Sequence, residues 1–347
     1  MSNSQTTFFL LIVLIRFSTF ASINENFNKD TQKSINDFVT TWDTTKNGSS
    51  NNTSITIPTF SGIYYYNVDW DNDGVFDDLG LTNSITHDFK KPGIYTIRIS
   101  GFFPHFSFNN SGDKLKLIAI NQWGKQKWQS MNGMFWGCEN LVGKANDTPD
   151  LSKVVDMDGM FENAAKFNQY IGDWDTSNIN NMTGMFSGAI SFNQNINNWD
   201  TSKVNNMSFM FNKATSFNQN LNNWNTSNVK SMKAMFQLAI NFNGDMRNWN
   251  TQNVTKMEFM FSQASMYNKS IGQWNTSNVI SMNMMFQGAI SFNQDIKKWD
   301  TKHVQNMFKM FYKANSFEQD LSNWNMQSIK NNSNMFYIES NTVVKHY

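Results

Sequence analysis

The chain has 347 residues, a formal net charge of +1 and only 16% charged residues, which removes the electrostatic case for a nucleic-acid partner and for charge-driven disorder. Aromatic residues reach 15%, with 31 Phe and 12 Trp against 4 Pro, so there is ample material for a packed core. Cys138 is the single cysteine, which excludes an intrachain disulfide and leaves stability to packing.

Residues 1–22 carry a continuous apolar run from Phe8 to Ile15, interrupted by Arg16, and Thr19-Phe20-Ala21 fits a signal-peptidase cut. The run is too short for an ordinary transmembrane span, and no second hydrophobic stretch follows. A cleaved secretory signal is expected, with a buried N-terminal segment or membrane anchor as the alternative. The expected location is secreted or on the extracellular surface. No cysteine follows the apolar run that would carry a lipid.

Residues 23–54 read as a polar linker with a candidate short helix around Ser34 to Trp42, then TTKNGSSNNTS. Residues 55–129 change to short β-prone runs, ITI, YYYNV, ITHDF and IYTIRI, with Pro92-Gly93 as the turn into the last. A small antiparallel sandwich closes such a set without a cysteine staple. Within it, Asp69, Asp71, Asp73, Gly74 and Asp77 reproduce the early oxygen-ligand spacing of a calcium loop. Gly80 stands where an EF-hand has its bidentate Glu, so an ordinary acidic turn is the competing reading. If calcium binds, it orders the hairpin and performs no chemistry.

From Met131 onward the period is 25. Tryptophans recur from Trp174 through Trp199, Trp224, Trp249, Trp274 and Trp299 to Trp324, and Met-Phe pairs recur from Met160-Phe161 to Met335-Phe336. An earlier pair, Met134-Phe135, is one residue out of phase, as suits an entry unit. Residues 130–347 are therefore expected to form a solenoid. In one unit, Trp249 and Thr251 point inward and Asn250 outward on a short strand. Val254, Met257, Met260, Phe261 and Ala264 then follow at helical spacing, with Asn253 or a neighbour as the cap. Phe242 and Asn243 occupy the turn before the strand, where stacked Asn side chains can form a ladder. The fold expected is an α/β solenoid, one short strand and one short helix per unit, preceded by the β-sandwich.

The succession Met-Phe-x-x-Ala, Ser-Phe-Asn-Gln and Trp-Asp/Asn-Thr-Ser-Asn-Val-x-x-Met resembles the repeats of BspA-type leucine-rich surface proteins, closest to their bacterial and mycoplasmal surface-lipoprotein branch. It is clearest in GMFSGAISFNQNINNWDTSKVNNM, Gly184 to Met207, and in MMFQGAISFNQDIKKWDTKHVQNM, Met284 to Met307. The resemblance implies a solenoid related to leucine-rich repeats, exposed or secreted and associated with adhesion to host proteins or cells. The segment YNVDWDNDGVFDD is similar to the leader domain of the same branch, which implies a sandwich of the polycystic-kidney-disease type.

Seven outward positions beside the tryptophans, Asp175, Asp200, Asn225, Asn250, Asn275, Asp300 and Asn325, form a polar row suited to an extracellular protein or glycan ligand; a solvated face is the plainer alternative. No catalytic motif appears, and His87, His105, His303 and His346 have no metal-ligand spacing. Cys138 is expected to be buried at the solenoid entrance. The function expected is non-catalytic adhesion without a cofactor, calcium apart. The alternatives are a self-associating envelope or matrix protein and, as a minor one, a hydrolase assembled at long range.

Overall fold

The computed structural model describes residues 34–60 and 62–336, and the expected signal segment lies outside them. Eight strands occupy the N-terminal part: β1 (Phe38–Asp43), β2 (Ser54–Ile57), β3 (Tyr65–Asp69), β4 (Asp78–Leu81), β5 (Ile85–Asp88), β6 (Ile94–Phe102), β7 (Leu117–Gln122) and β8 (Val142–Gly143). Six of them form one sheet in the order β4-β3-β6-β1-β7-β8, while β2 and β5 pair as a separate ribbon. The candidate helix around Ser34 to Trp42 is thus corrected. Phe38–Asp43 is a central strand, antiparallel to β6 on one side and β7 on the other. Phe38 and Trp42, both fully buried, reach the same face because strand side chains alternate.

The segment read as a linker is clamped to this sheet. Fully buried Lys116 donates from Nζ to the carbonyls of Ser50, Asn51 and Ser54 at 3.0, 2.6 and 2.9 Å. Asp113, beside it, accepts from the Ser50 and Thr56 amides at 2.9 and 2.7 Å. Gly48 passes so close that a Cβ there would lie 2.2 Å from Asp113 Oδ1. The loop is held by a buried ion pair whose remaining hydrogen-bonding capacity is used.

No helix occurs among the described residues, so the α/β solenoid with one helix per unit is corrected to an all-β coil of turns. The reason lies in where the amides go. Across Met207 to Ala214, the amides of Met207, Phe209, Phe211 and Lys213 donate to the carbonyls of Ser231, Lys233, Met235 and Gln237 in the next unit, at 2.8–3.0 Å. Those of Met210, Asn212 and Ala214 donate three residues back, to Met207, Phe209 and Phe211. A helix would send each of them four residues back. The alternation requires left-handed backbone at two places, Phe209 (φ 59°) and Lys213 (φ 58°), and the same pair recurs at Gly184 and Gly188 and at Ala234 and Leu238. Consecutive units meet in single-residue parallel bridges, from Asp156 with Asn181 to Asn306 with Asn331. The strand expected at Trp249–Thr251 is also absent, although Trp249 and Thr251 are buried and Asn250 is exposed as expected. Asn253 caps no helix and donates instead to the Ser227 carbonyl at 2.7 Å.

The interior is a set of ladders. Trp224, Trp249 and Trp274 stack with centroids 6.2 and 5.9 Å apart and rings within 5° of parallel. Phe211, Phe236 and Phe261 stack at 5.5 and 5.7 Å. Thr226 and Thr251 donate to the carbonyls of Asn250 and Asn275 at 2.9 and 2.8 Å. The Asn ladder is present: Asn218, Asn243 and Asn268 each donate their amide to the side-chain oxygen of the Asn 25 residues earlier, at 2.8–3.0 Å. The N-terminal sheet caps the coil. Amides of Phe108, Asn109 and Asn110 donate to carbonyls of Met134, Gly133 and Trp136, and Trp123 packs edge-on against Trp174 at 5.4 Å. Solenoids need such a cap to cover their terminal apolar surface.

Candidate binding face

The acidic turn between β3 and β4 brings together three of the four expected aspartates. Ligand oxygens of Asp69, Asp71 and Asp77 lie within 4.8 Å of one another, and Asp73 is outside that group. These three could hold a hard cation, but the turn is already satisfied by its own donors. Asp69 accepts from Gly74 N–H at 2.9 Å, and Asp77 accepts from Trp70 N–H at 2.8 Å. Buried Arg98 places Nε 3.9 Å from Asp69 and donates to Asn72 and Asp37. Burial raises the Asp69 carboxyl above its usual range, against the amides of Gly74, Asn72 and Asp73.

The expected polar row is present and carries a local role. Asp175, Asp200, Asn225, Asn250, Asn275 and Asp300 are exposed and Asn325 is half-buried. Each turns a side-chain oxygen back to the amide two residues on, at 2.9–3.1 Å. Asp and Asn recur here because their short side-chain oxygens close that turn more strongly than a Ser or Thr hydroxyl does.

A second surface escaped the sequence reading. Core positions hardly vary, with Met160, Met185, Met210, Met235, Met260, Met285 and Met310 all buried methionines. Two residues earlier, on the side of the inter-unit bridges, the same seven units carry Asp158, Thr183, Ser208, Lys233, Glu258, Asn283 and Phe308. Seven equivalent places hold seven different side chains. The signal that would have found them is this contrast between constant and changing columns of the repeat. Backbone groups make the bridges, while Thr183 and Ser208 donate to the side-chain oxygens of Asn181 and Asn206, both at 2.7 Å; Ser208 is buried and the other six are half-buried.

This face begins acidic and ends basic. Asp158 and Glu162 line a hollow of about 300 Å³ with Asn163, Thr183, Asn212 and Lys213. Burial raises both carboxyls, with Asp156 adding to the rise at Asp158 and Asp158 to that at Glu162. Six units on, Lys309 Nζ lies 5.1 Å from the ring centroids of both Phe308 and Tyr312. Lys233 lies over Phe209 at 5.8 Å. A larger cavity, about 710 Å³, opens beside the acidic end, between Phe60, Phe102, His105, Gln129, Asn132 and Asp156.

The histidines stay apart among the described residues. His87 stacks on Trp70 at 4.4 Å, His105 bonds the Asn132 carbonyl, and His303 bonds that of Ser277. His346 lies outside the described residues. Cys138 is fully buried, and burial pushes its thiol well above the usual range.

Fold and surface define a capped repeat protein, without a helix among the described residues, that has a constant interior and a variable face. The chain belongs to the family described as Mycoplasma protein of unknown function, DUF285, which matches residues 129–247 and 232–345. No curated protein and no solved structure matches it. No described helix is long and apolar enough to cross a membrane.

Proposed function

We propose that the protein is a secreted or surface-displayed binding protein that holds an extracellular protein or glycan along its repeat coil, without catalysis. The BspA-type resemblance of the repeats points the same way. The observation that carries the reading is the variable face: an array built from one repeated interior changes one column of side chains in every unit from Asp158 to Phe308, and all of these but the buried Ser208 are half-buried at the surface. Rigid arrays of this kind bind by many small contacts over an extended surface. The experiment is binding of the purified chain to extracellular-matrix proteins, host-cell surfaces and glycans, beside a variant with Thr183 and Asn283 changed to Lys. Saturable binding that the variant loses supports the reading; no saturable binding by the unaltered chain overturns it.

Calcium at the Asp69–Asp77 turn is the subordinate part of this reading, with the clustering of three carboxylates in its favour. Millimolar calcium should then raise the melting temperature, and Asp71→Asn should abolish the rise. An unchanged melting temperature in the unaltered protein overturns it.

A further inference from the structure

The variable face carries a charge gradient along its length. Its first unit, residues 156–163, has three carboxylates, Asp156, Asp158 and Glu162, and Lys213 from the third unit lines the same hollow beside Glu162. Its seventh unit, residues 306–313, has two lysines, Lys309 and Lys313, and no carboxylate. Both ends occupy equivalent places of the repeat, since each unit adds one parallel bridge to the last. Six steps of about 4.8 Å put them about 29 Å apart. That exceeds the Debye length of about 8 Å, so the two ends act as separate patches.

We infer that this face pairs two copies of the chain antiparallel, the acidic unit of each lying against the lysine–aromatic unit of the other. The inference rests on the reading of this face as the binding surface and names its partner. Charge complementarity selects the arrangement. Antiparallel pairing satisfies both ends at once about a two-fold axis, whereas parallel pairing sets carboxylate against carboxylate. In between, it brings the fifth unit, which carries both Lys256 and Glu258, opposite Lys213 of the third and gains no net attraction there. Near the axis the fourth unit meets its own copy, so the two Lys233 ammonium groups approach one another and oppose the pairing. A net charge of +1 supplies no general attraction or repulsion, which leaves the pattern in control.

Sedimentation equilibrium of the full chain tests this. A closed dimer is expected at about 50 mM NaCl, with a dissociation constant about tenfold or more higher at about 500 mM. The variant Lys309→Glu/Lys313→Glu and the variant Asp158→Lys/Glu162→Lys should each be monomeric alone, and an equimolar mixture should recover the dimer, because the charges then complement again. Lys233→Gln, which reverses no charge, should tighten the dimer. A monomeric unaltered chain at low salt overturns the pairing, as does a mixture that stays monomeric with both variants melting like the parent, or assembly that grows past the dimer. A monomer that still binds a foreign ligand through this face leaves the proposed function standing. A dimer that binds none overturns the foreign-ligand function and keeps the pairing.

Discussion

The indole N–H of Trp249 donates to the carbonyl of Leu221, 28 residues earlier, at 2.8 Å. The same bond links Trp224 to Ile196 and Trp274 to Met246, at 2.9 and 3.1 Å. Each tryptophan thus staples its own unit to the previous one, through a bond in a dry interior where an unmade partner is costly. Trp249→Phe removes that donor and leaves the Leu221 carbonyl without it. Urea unfolding should show a loss of about 2–4 kcal/mol. Thr251→Val, nearly the same shape, removes only the bond to the Asn275 carbonyl and should cost about 1–2 kcal/mol.

Left-handed positions offer the opposite test. Lys213 holds φ 58° where the preceding unit has Gly188 and a later one has Gly288. A side chain in that region costs about 1–2 kcal/mol, part of which glycine returns as unfolded-state entropy. Lys213→Gly should raise the melting temperature slightly. Gly188→Val should lower it sharply, because a Cβ there would sit 2.2 Å from Asn163 Oδ1.

Tyr267 stands where neighbouring units have Phe242 and Phe292, and its hydroxyl is buried with no hydrogen-bond partner. Burial pushes the phenol well above its usual range. Tyr267→Phe keeps the ring stack and removes the unsatisfied oxygen. The denaturant midpoint should rise, by about 1–2 kcal/mol of stability.

Acid should release the clamp on the 48–54 loop. Burial pushes the Asp113 carboxyl up, but donors from Ser50 and Thr56 and the Lys116 charge outweigh it, so its pKa lies below the usual range. A folded value below the unfolded one stabilises the protein fully above the unfolded value of about 3.9, and that stabilisation is lost as pH falls through the folded value. Melting temperature should therefore drop below about pH 4, less steeply in Asp113→Asn. Lys116→Met, which strands the buried carboxylate, should cost about 3–5 kcal/mol at neutral pH.

Much of the interior was legible because burial follows residue type. Trp249, Thr251, Val254, Met257, Met260, Phe261 and Ala264 are all buried, as their pattern requires. The Asn ladder through Asn218 and Asn243 was legible for a related reason: a short side-chain oxygen repeated every 25 residues can accept from the backbone N–H at the same place in the next unit. The polar row from Asp175 to Asn325 was legible as exposed, but its turn-closing bonds depend on backbone geometry. The variable face was not legible because side chains that differ in every unit carry no period, and only the inter-unit bridges set them side by side.

By itself the sequence determined the period, the identity of the stacked side chains and which residues lie inside. Only the tertiary structure decided that Met207 to Ala214 is a chain of turns and that Phe38–Asp43 is a strand. Apolar spacing of three and four residues states which side a group faces, not where its amide finds a carbonyl. Here the amides of Met207, Phe209, Phe211 and Lys213 find theirs 24 residues away. Those acceptors exist only after the next unit has folded against this one. In the same way, β1 becomes a strand because β6 and β7 stand on either side of it.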